Sequence, residues 1–408
     1  MGEIGAHGFG AGESDVMNFG MRDFKMGMIS RRLRVSLFLV AGAAMTLSFS
    51  SCERNAAAAS SGAENPNSKI ENQKSLAVPE GGAYTGAYVD FGDTEDDVTL
   101  EAIEGFEKLV GKHQAIVASS SYWGEQTFPT ANVNLIWRHG SVPLVFWSPW
   151  DKPYVESSDE KEIGPDKFSL TNILAGKWDR YIDKWGDAAR NFGQPMMVSF
   201  ANEMNGSWFP WSGRFYGAGK KLPKTNPSEP DRFEGPETFK KAYRYIVDRV
   251  RARGAKNVIW VFQAMNYSYP QETWNMVAQY YPGADYVDWL GLSVYGQQDI
   301  DDRWSPFPPL LEWPYTELSQ LDPNKPMMLT EWGIGEFPKF GSKSEFIRDA
   351  FVAMKKCPRL KAAIFWHERW QNEDDTYSNL RVNSSPAALK AYREGVADPF
   401  WLSEPILK

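Results

Sequence analysis

Two glutamates in this chain each end an apolar run. Glu203 lies in FANEMNGSWFPW (200–211), directly after PMMVSF, and Glu331 lies in LTEWGIGEF (329–337), directly after KPMM. A carboxylic acid held among large aromatic rings has its charged form disfavoured, so its pKa rises toward the value a general acid needs. Two such acids across a cleft suit glycoside hydrolysis: one protonates the leaving oxygen, while the other attacks the anomeric carbon or activates water. A lone glutamate at a strand end more commonly pairs with an arginine or caps a turn. The inference therefore rests on the pair and on its aromatic setting.

Sugar rings present apolar C–H faces that stack on Trp and Tyr, and Asn and Tyr read their hydroxyl groups. The candidates for that work sit at the ends of apolar runs: Trp147 and Trp150, Asn202, Tyr295, Trp332, and Trp366 with His367. Trp123, Trp208 and Trp211 complete the set of expected sugar contacts. Glu336 and Glu368 lie near the same places but read as structural acids. The histidines are His7, His113, His139 and His367, without HxH or HExxH spacing. The expectation is therefore no metal and no cofactor, with His367 as a hydrogen-bonding group rather than a ligand.

The elements that must position these residues alternate. Apolar, β-branched or aromatic runs (AYTGAYVDF, AIVASSS, VPLVFWSPW, PMMVSFANEM, NVIWVFQAM, VDWLGLSVY, KPMMLTEWG, AAIFWHE) are separated by segments with helical spacing. VTLEAIEGFEKLVG, ILAGKWDRYIDKWGDAARNFG, ETFKKAYRYIVDRVRARG and KSEFIRDAFVAMKK are such segments, and Lys or Arg followed by Gly closes several of them. Eight strands, each followed by a helix-like segment, predict a (β/α)8 TIM barrel, an α/β fold with one catalytic domain whose mouth lies at the C-terminal ends of the strands. An open doubly wound sheet would show a Gly-rich first turn for a phosphate, whereas DFGDTEDD follows the first strand here.

The formal net charge of -8 excludes a nucleic-acid partner, because such proteins concentrate Lys and Arg, and favours a neutral polysaccharide. The 17 Trp are many for a soluble protein, and such residues fill a large core or line a ligand cleft. With Cys52 and Cys357 alone, no disulfide framework is expected, and Cys357 reads as a buried small residue. MISRRLRVSLFLVAGAAMTLSFSSC (28–52) runs basic, apolar, then small residues up to Cys52, the layout of a bacterial lipoprotein signal with Cys52 as the lipidated residue. The expected organisation is an extension and signal over 1–52, a flexible linker over 53–80, and a catalytic domain over 81–408. Residues 1–27 fit neither export nor fold. The protein is expected to be exported, as an outer-membrane or cell-surface lipoprotein or otherwise periplasmic or secreted. It is also expected to be monomeric and to touch the membrane through a lipid anchor only.

ANEMNGSWFPWSG resembles the acid/base motif of glycoside hydrolase family 26, YYPGADYVDWLGLSVYG its sixth-strand region, and LTEWGIGEF its nucleophile segment. The likeness runs in order from about residue 84 to 400. It implies a retaining barrel enzyme with Glu203 as general acid/base, Glu331 as nucleophile, and Tyr295 orienting the nucleophile. Trp208 and Trp366 would stack sugars, Trp366 at the −1 subsite. Mannanases of the family commonly carry His before the acid/base glutamate and often another His after strand three, where this chain has Asn202 and WSPW. In the wider clan an Asn at that place contacts the sugar 2-hydroxyl. The resemblance implies an endo-β-1,4-mannanase, with a mixed-linkage β-1,3-1,4-glucanase or β-1,3-xylanase as alternatives. The competing class is a non-catalytic glycan-binding lipoprotein at the cell surface.

Overall fold

The structure, a computed structural model, describes residues 74–92, 95–151, 164–372 and 376–408. The signal segment with Cys52, residues 1–27 and residues 53–73 of the linker lie outside the described residues. The strands are β1 (Ala83–Val89), β2 (Ile116–Tyr122), β3 (Val142–Ser148), β4 (Met196–Phe200), β5 (Val258–Met265), β6 (Trp289–Tyr295), β7 (Met327–Gly333) and β8 (Leu360–His367). All pair in parallel with their sequence neighbours, and β1 pairs with β8 from Tyr84↔Ala362 to Val89↔His367, which closes the sheet. This is the expected barrel. Strands covered on both faces can be almost continuously apolar, which is why the runs show little polar alternation. Gly86 serves the closure: a Cβ there would meet Ile364 and the Ile116 carbonyl oxygen at 2.4 and 2.7 Å.

Helices α1 (Leu100–Val110), α2 (Thr130–Arg138), α3 (Asp179–Phe192), α4 (Glu234–Ala252), α5 (Phe307–Leu321), α6 (Lys343–Lys355) and α7 (Pro386–Val396) follow β1, β2, β3, β4, β6, β7 and β8. Strand β5 departs from the expected regularity, because only short helical turns over Thr273–Asn275, Val277–Tyr280 and Ala284–Tyr286 connect it to β6. The intervening sequence is broken by Pro270, Pro282 and Gly283, which cannot sustain a longer helix. Residues before 81 also pack on the barrel. Ser75 and Ala77 pair with Lys408 and Ile406, and Leu76 and Ala77 are buried there because they are apolar.

Candidate active site

Glu331 belongs to β7 itself, opposite Ser293 of β6, and its side chain points into the barrel. Its Oε1 accepts a hydrogen bond from Gln263 Nε2 at 2.7 Å, and its Oε2 accepts one from the Tyr295 hydroxyl at 2.8 Å. Gln263 in turn donates to Ser293 Oγ at 2.9 Å and accepts from Ser199 Oγ at 2.7 Å. One amide thus links β4, β5, β6 and β7 under the mouth and holds the carboxylate in place.

Glu203 lies three residues past the end of β4, in the turn that forms the lip. Ala201 and Glu203 both take left-handed backbone, with φ of +51° and +54°. Side-chain-bearing residues seldom adopt this conformation, and it clusters at functional sites where the surroundings enforce it. Here the Glu203 N–H donates to the Gln263 carbonyl, the Trp211 indole donates to the Asn202 carbonyl at 2.6 Å, and the Asn205 side chain pairs with both backbone groups of Met265. The Trp208 indole N–H donates to Glu203 Oε2 at 2.9 Å. Gly206 allows this fold-back, since a Cβ there would lie 2.5 Å from the Trp208 ring.

Both acids are nearly sequestered, Glu203 at 7% and Glu331 at 8% exposure. Burial pushes both carboxyls above the usual range. At Glu331 the charge of Glu203 adds to the rise, so the two groups interact and titrate as a pair. Tyr295 is half-buried beside Glu331, and desolvation with the neighbouring carboxylate charge pushes it well above its ordinary pKa, so its hydroxyl stays protonated and donating. A third acid, Glu95, is buried after β1, accepts from Ser120 Oγ at 2.6 Å, and raises Glu331 further through its charge.

The structure divides the expected sugar contacts. Trp208 is half-buried against Glu203, Asn202 is buried beside it, and Tyr295 binds Glu331. Trp366 points inward, stacked on Tyr88 at 3.9 Å with its indole N–H on Glu368, and Trp150 is buried edge-on to Phe209 and Trp211. Trp211 is covered by Phe209 at 4.5 Å and buttresses the lip from behind, so its expected role as a sugar contact is corrected.

Four further expectations are corrected in the same way. Trp147 points out of the barrel, stacks on Trp185 of α3 at 4.1 Å, and donates to Tyr181. Trp123 is buried between Trp147, Phe168 and Tyr181. Trp332 packs outward among Phe307, Phe351 and Tyr392 of the helices. His367 faces Phe106 of α1, accepts the Val382 N–H on Nδ1, and is held neutral by burial, which lowers it to about 3. Trp147, Trp332 and His367 each neighbour an inward residue, and successive side chains of a strand point to opposite faces. Trp123 lies in the helical turn just past β2. Glu336 and Glu368 are structural, accepting from Ser384 and Trp366. Gln263, Ser199, Ser293, Asn205 and Glu95 were not singled out from the sequence. Polar residues inside apolar runs, such as Gln263 in NVIWVFQAM, were the available signal.

Comparison with known proteins points the same way. The model of glycosyl hydrolase family 26 matches residues 119–313, a stretch that contains Glu203 and Tyr295 and ends before Glu331. Endoglucanase H of Acetivibrio thermocellus is 27% identical over 328 residues, 79% of this chain and 31% of that protein. A mannan endo-1,4-beta-mannosidase of Bacillus subtilis strain 168 is 27% identical over 263 residues, 62% of this chain and 61% of that protein. The chain thus spans less than two thirds of the length of these curated relatives. Among solved structures, a Bacillus subtilis mannanase superposes with a TM-score of 0.52 at 20% identity, over 80% of this chain and 87% of that one. A β-mannanase of Bacteroides ovatus gives 0.53 at 19% identity, over 79% and 90%. These superpositions show a shared fold.

Proposed function

The chain belongs to glycosyl hydrolase family 26, and from that premise we propose that it is a retaining endo-β-glycanase acting on β-1,4-mannan. Glu331 attacks the anomeric carbon and forms a glycosyl-enzyme, while Glu203 gives its proton to the departing oxygen. Glu203 then takes a proton from water, which attacks the same carbon and frees Glu331. The carrying observation is the pair itself: two buried carboxyls at the same mouth, each fixed by a phenol, indole or amide donor. Their placement supports the division of roles. Glu331 is fixed within β7, deep enough to attack from below, and Glu203 stands on the lip beside half-buried Trp208, where a leaving group departs.

A second reading, hydrolysis of mixed-linkage β-1,3-1,4-glucan, is favoured by one residue and one alignment. Asn202 stands before Glu203, where mannanases of the family commonly carry His, and the match to Endoglucanase H covers more of this chain than the match to the mannosidase. Reducing-sugar release from mannan, lichenan and β-1,3-xylan, with product sizing, separates the readings. Short oligosaccharides of the β-anomer are expected from mannan, with loss of at least about 10³-fold in Glu331→Ala. An active Glu331→Ala enzyme, or a first product of inverted anomer, sinks the mechanism. Lichenan cleaved in preference to mannan transfers the activity to the second reading.

We also propose that the protein is exported and lipidated at Cys52, on the strength of the basic, apolar and small-residue order of 28–52.

A further inference from the structure

At the base of the barrel, away from the carboxylate pair, three side chains of another kind converge. Glu107 stands in the last turn of α1, His113 in the turn that enters β2, and His139 caps the C-terminus of α2 just before β3. His113 Nδ1 lies 2.8 Å from Glu107 Oε1, and His139 Nε2 lies 3.0 Å from Glu107 Oε2. One ligand atom from each of the three falls within 4.8 Å of the others. We propose that Glu107, His113 and His139 bind a divalent transition-metal ion of the zinc class, which pins α1, β2 and α2 together at the foot of the barrel.

Two imidazoles and a carboxylate form a donor set that zinc takes, with a fourth position left for water. Bonds of about 2.0–2.1 Å in a tetrahedron place neighbouring donors about 3.3–3.4 Å apart. The two spacings to Glu107 differ from this by part of an ångström, and the ligand atoms that must close on one another already lie within 4.8 Å. The surrounding hydrogen bonds are those of a supported ligand set. The Nε2 side of His113 faces Gly140, whose carbonyl accepts from the ring, leaving the Nδ1 lone pair to turn toward the metal. Glu107 Oε1 also accepts the Gln114 N–H at 2.9 Å, and Gln114 is anchored by Thr85. The charge of Glu404 also acts on His113, so two carboxylates attract the cation. Side-chain exposures of 22% for His113, 12% for His139 and 14% for Glu107 give an ion access while excluding most water.

Entry of the ion replaces the hydrogens that join the imidazoles to Glu107. His113 and His139 each turn a lone pair to the ion, the proton formerly on that nitrogen passing to the ring's other nitrogen or to solvent, and no electron is transferred. The site stands at the N-terminal ends of the strands, where a barrel invests in stability rather than catalysis. It is independent of the reaction at the mouth.

The test uses the full chain, stripped with chelator and titrated with zinc by calorimetry, followed by cobalt for its visible spectrum. The expected result is one zinc per chain, an intense cobalt spectrum of low-coordinate type, and a rise in Tm of several degrees with polysaccharide hydrolysis unchanged. His139→Gln and Glu107→Gln, each checked by its metal-free melting curve, should bind at least about tenfold more weakly and lose the rise in Tm. No stoichiometric binding, or equal binding in both variants, overturns the proposal. Binding lost in Glu203→Gln instead places the ion at the mouth and overturns it equally.

Discussion

Burial raises both acids, and the donors aimed at each oppose that rise. Tyr295 donates to Glu331 and Trp208 donates to Glu203, and each bond favours the ionised form of its acceptor. Removing either donor therefore raises the pKa of the acid it served, but the two losses act on opposite limbs of the pH–rate profile. In its proposed role as nucleophile Glu331 must be ionised, so Tyr295→Phe is expected to move the acid limb of kcat/KM to higher pH. Loss of a hydrogen bond to a charged group should lower kcat/KM by about tenfold to a hundredfold. In its proposed role as general acid Glu203 must be protonated, so Trp208→Phe is expected to move the alkaline limb to higher pH while the acid limb stays. A Tyr295→Phe profile shifted on its alkaline side alone would reverse the assignment of roles. Both acids were legible in the sequence as carboxylates in apolar company. Gln263, which links Glu331 to β4 and β6, was not, because its partners Ser199, Ser293 and Glu331 come from three other strands.

At the scale of elements, α6 shows how the chain after β8 is held. Lys343, the first residue of that helix, is 2% exposed, and its Nζ donates to the Asn379 and Arg381 carbonyls at 2.9 and 3.0 Å. Burial lowers its pKa to about 7, and a neutral amine still has two N–H groups for those two acceptors. Between pH 7 and the ordinary lysine value the unfolded chain binds the proton and the folded chain does not, so stability rises with pH across that window. Lys343→Met removes this dependence and leaves two carbonyls short of a donor. Urea denaturation should find it destabilised by about 2–5 kcal/mol at pH 9 and by clearly less at pH 6. An equal loss at both pH values would show that the amine is not neutral in the fold. The strands themselves were readable as apolar runs. What the runs concealed was facing: Trp147, Trp332 and His367 are one residue out of phase with the interior, and a run apolar on both faces carries no alternation to reveal it.

At the scale of the whole molecule, the mouth carries the proposed hydrolytic pair, the base carries the proposed metal site, and residues 28–52 carry the proposed export signal. Among the described residues no helix is long and apolar enough to cross a membrane. In the proposed export route, membrane attachment rests on acyl chains at Cys52. Fatty-acid labelling of cells producing the protein is expected to mark it and to place it in the membrane fraction, with both lost in Cys52→Ser. Unlabelled wild-type protein in the soluble fraction would leave simple secretion as the route.

The sequence by itself determined the fold class, the strands, and the pair Glu203 and Glu331, because burial on both faces and an acid at the end of an apolar run are local patterns. Tertiary structure alone decided which aromatics face the cleft, which amide holds Glu331, and that Glu107, His113 and His139 meet. Those outcomes depend on strand phase, on the closure of β1 against β8, and on turns at the foot of the barrel, all of which join residues far apart in the chain.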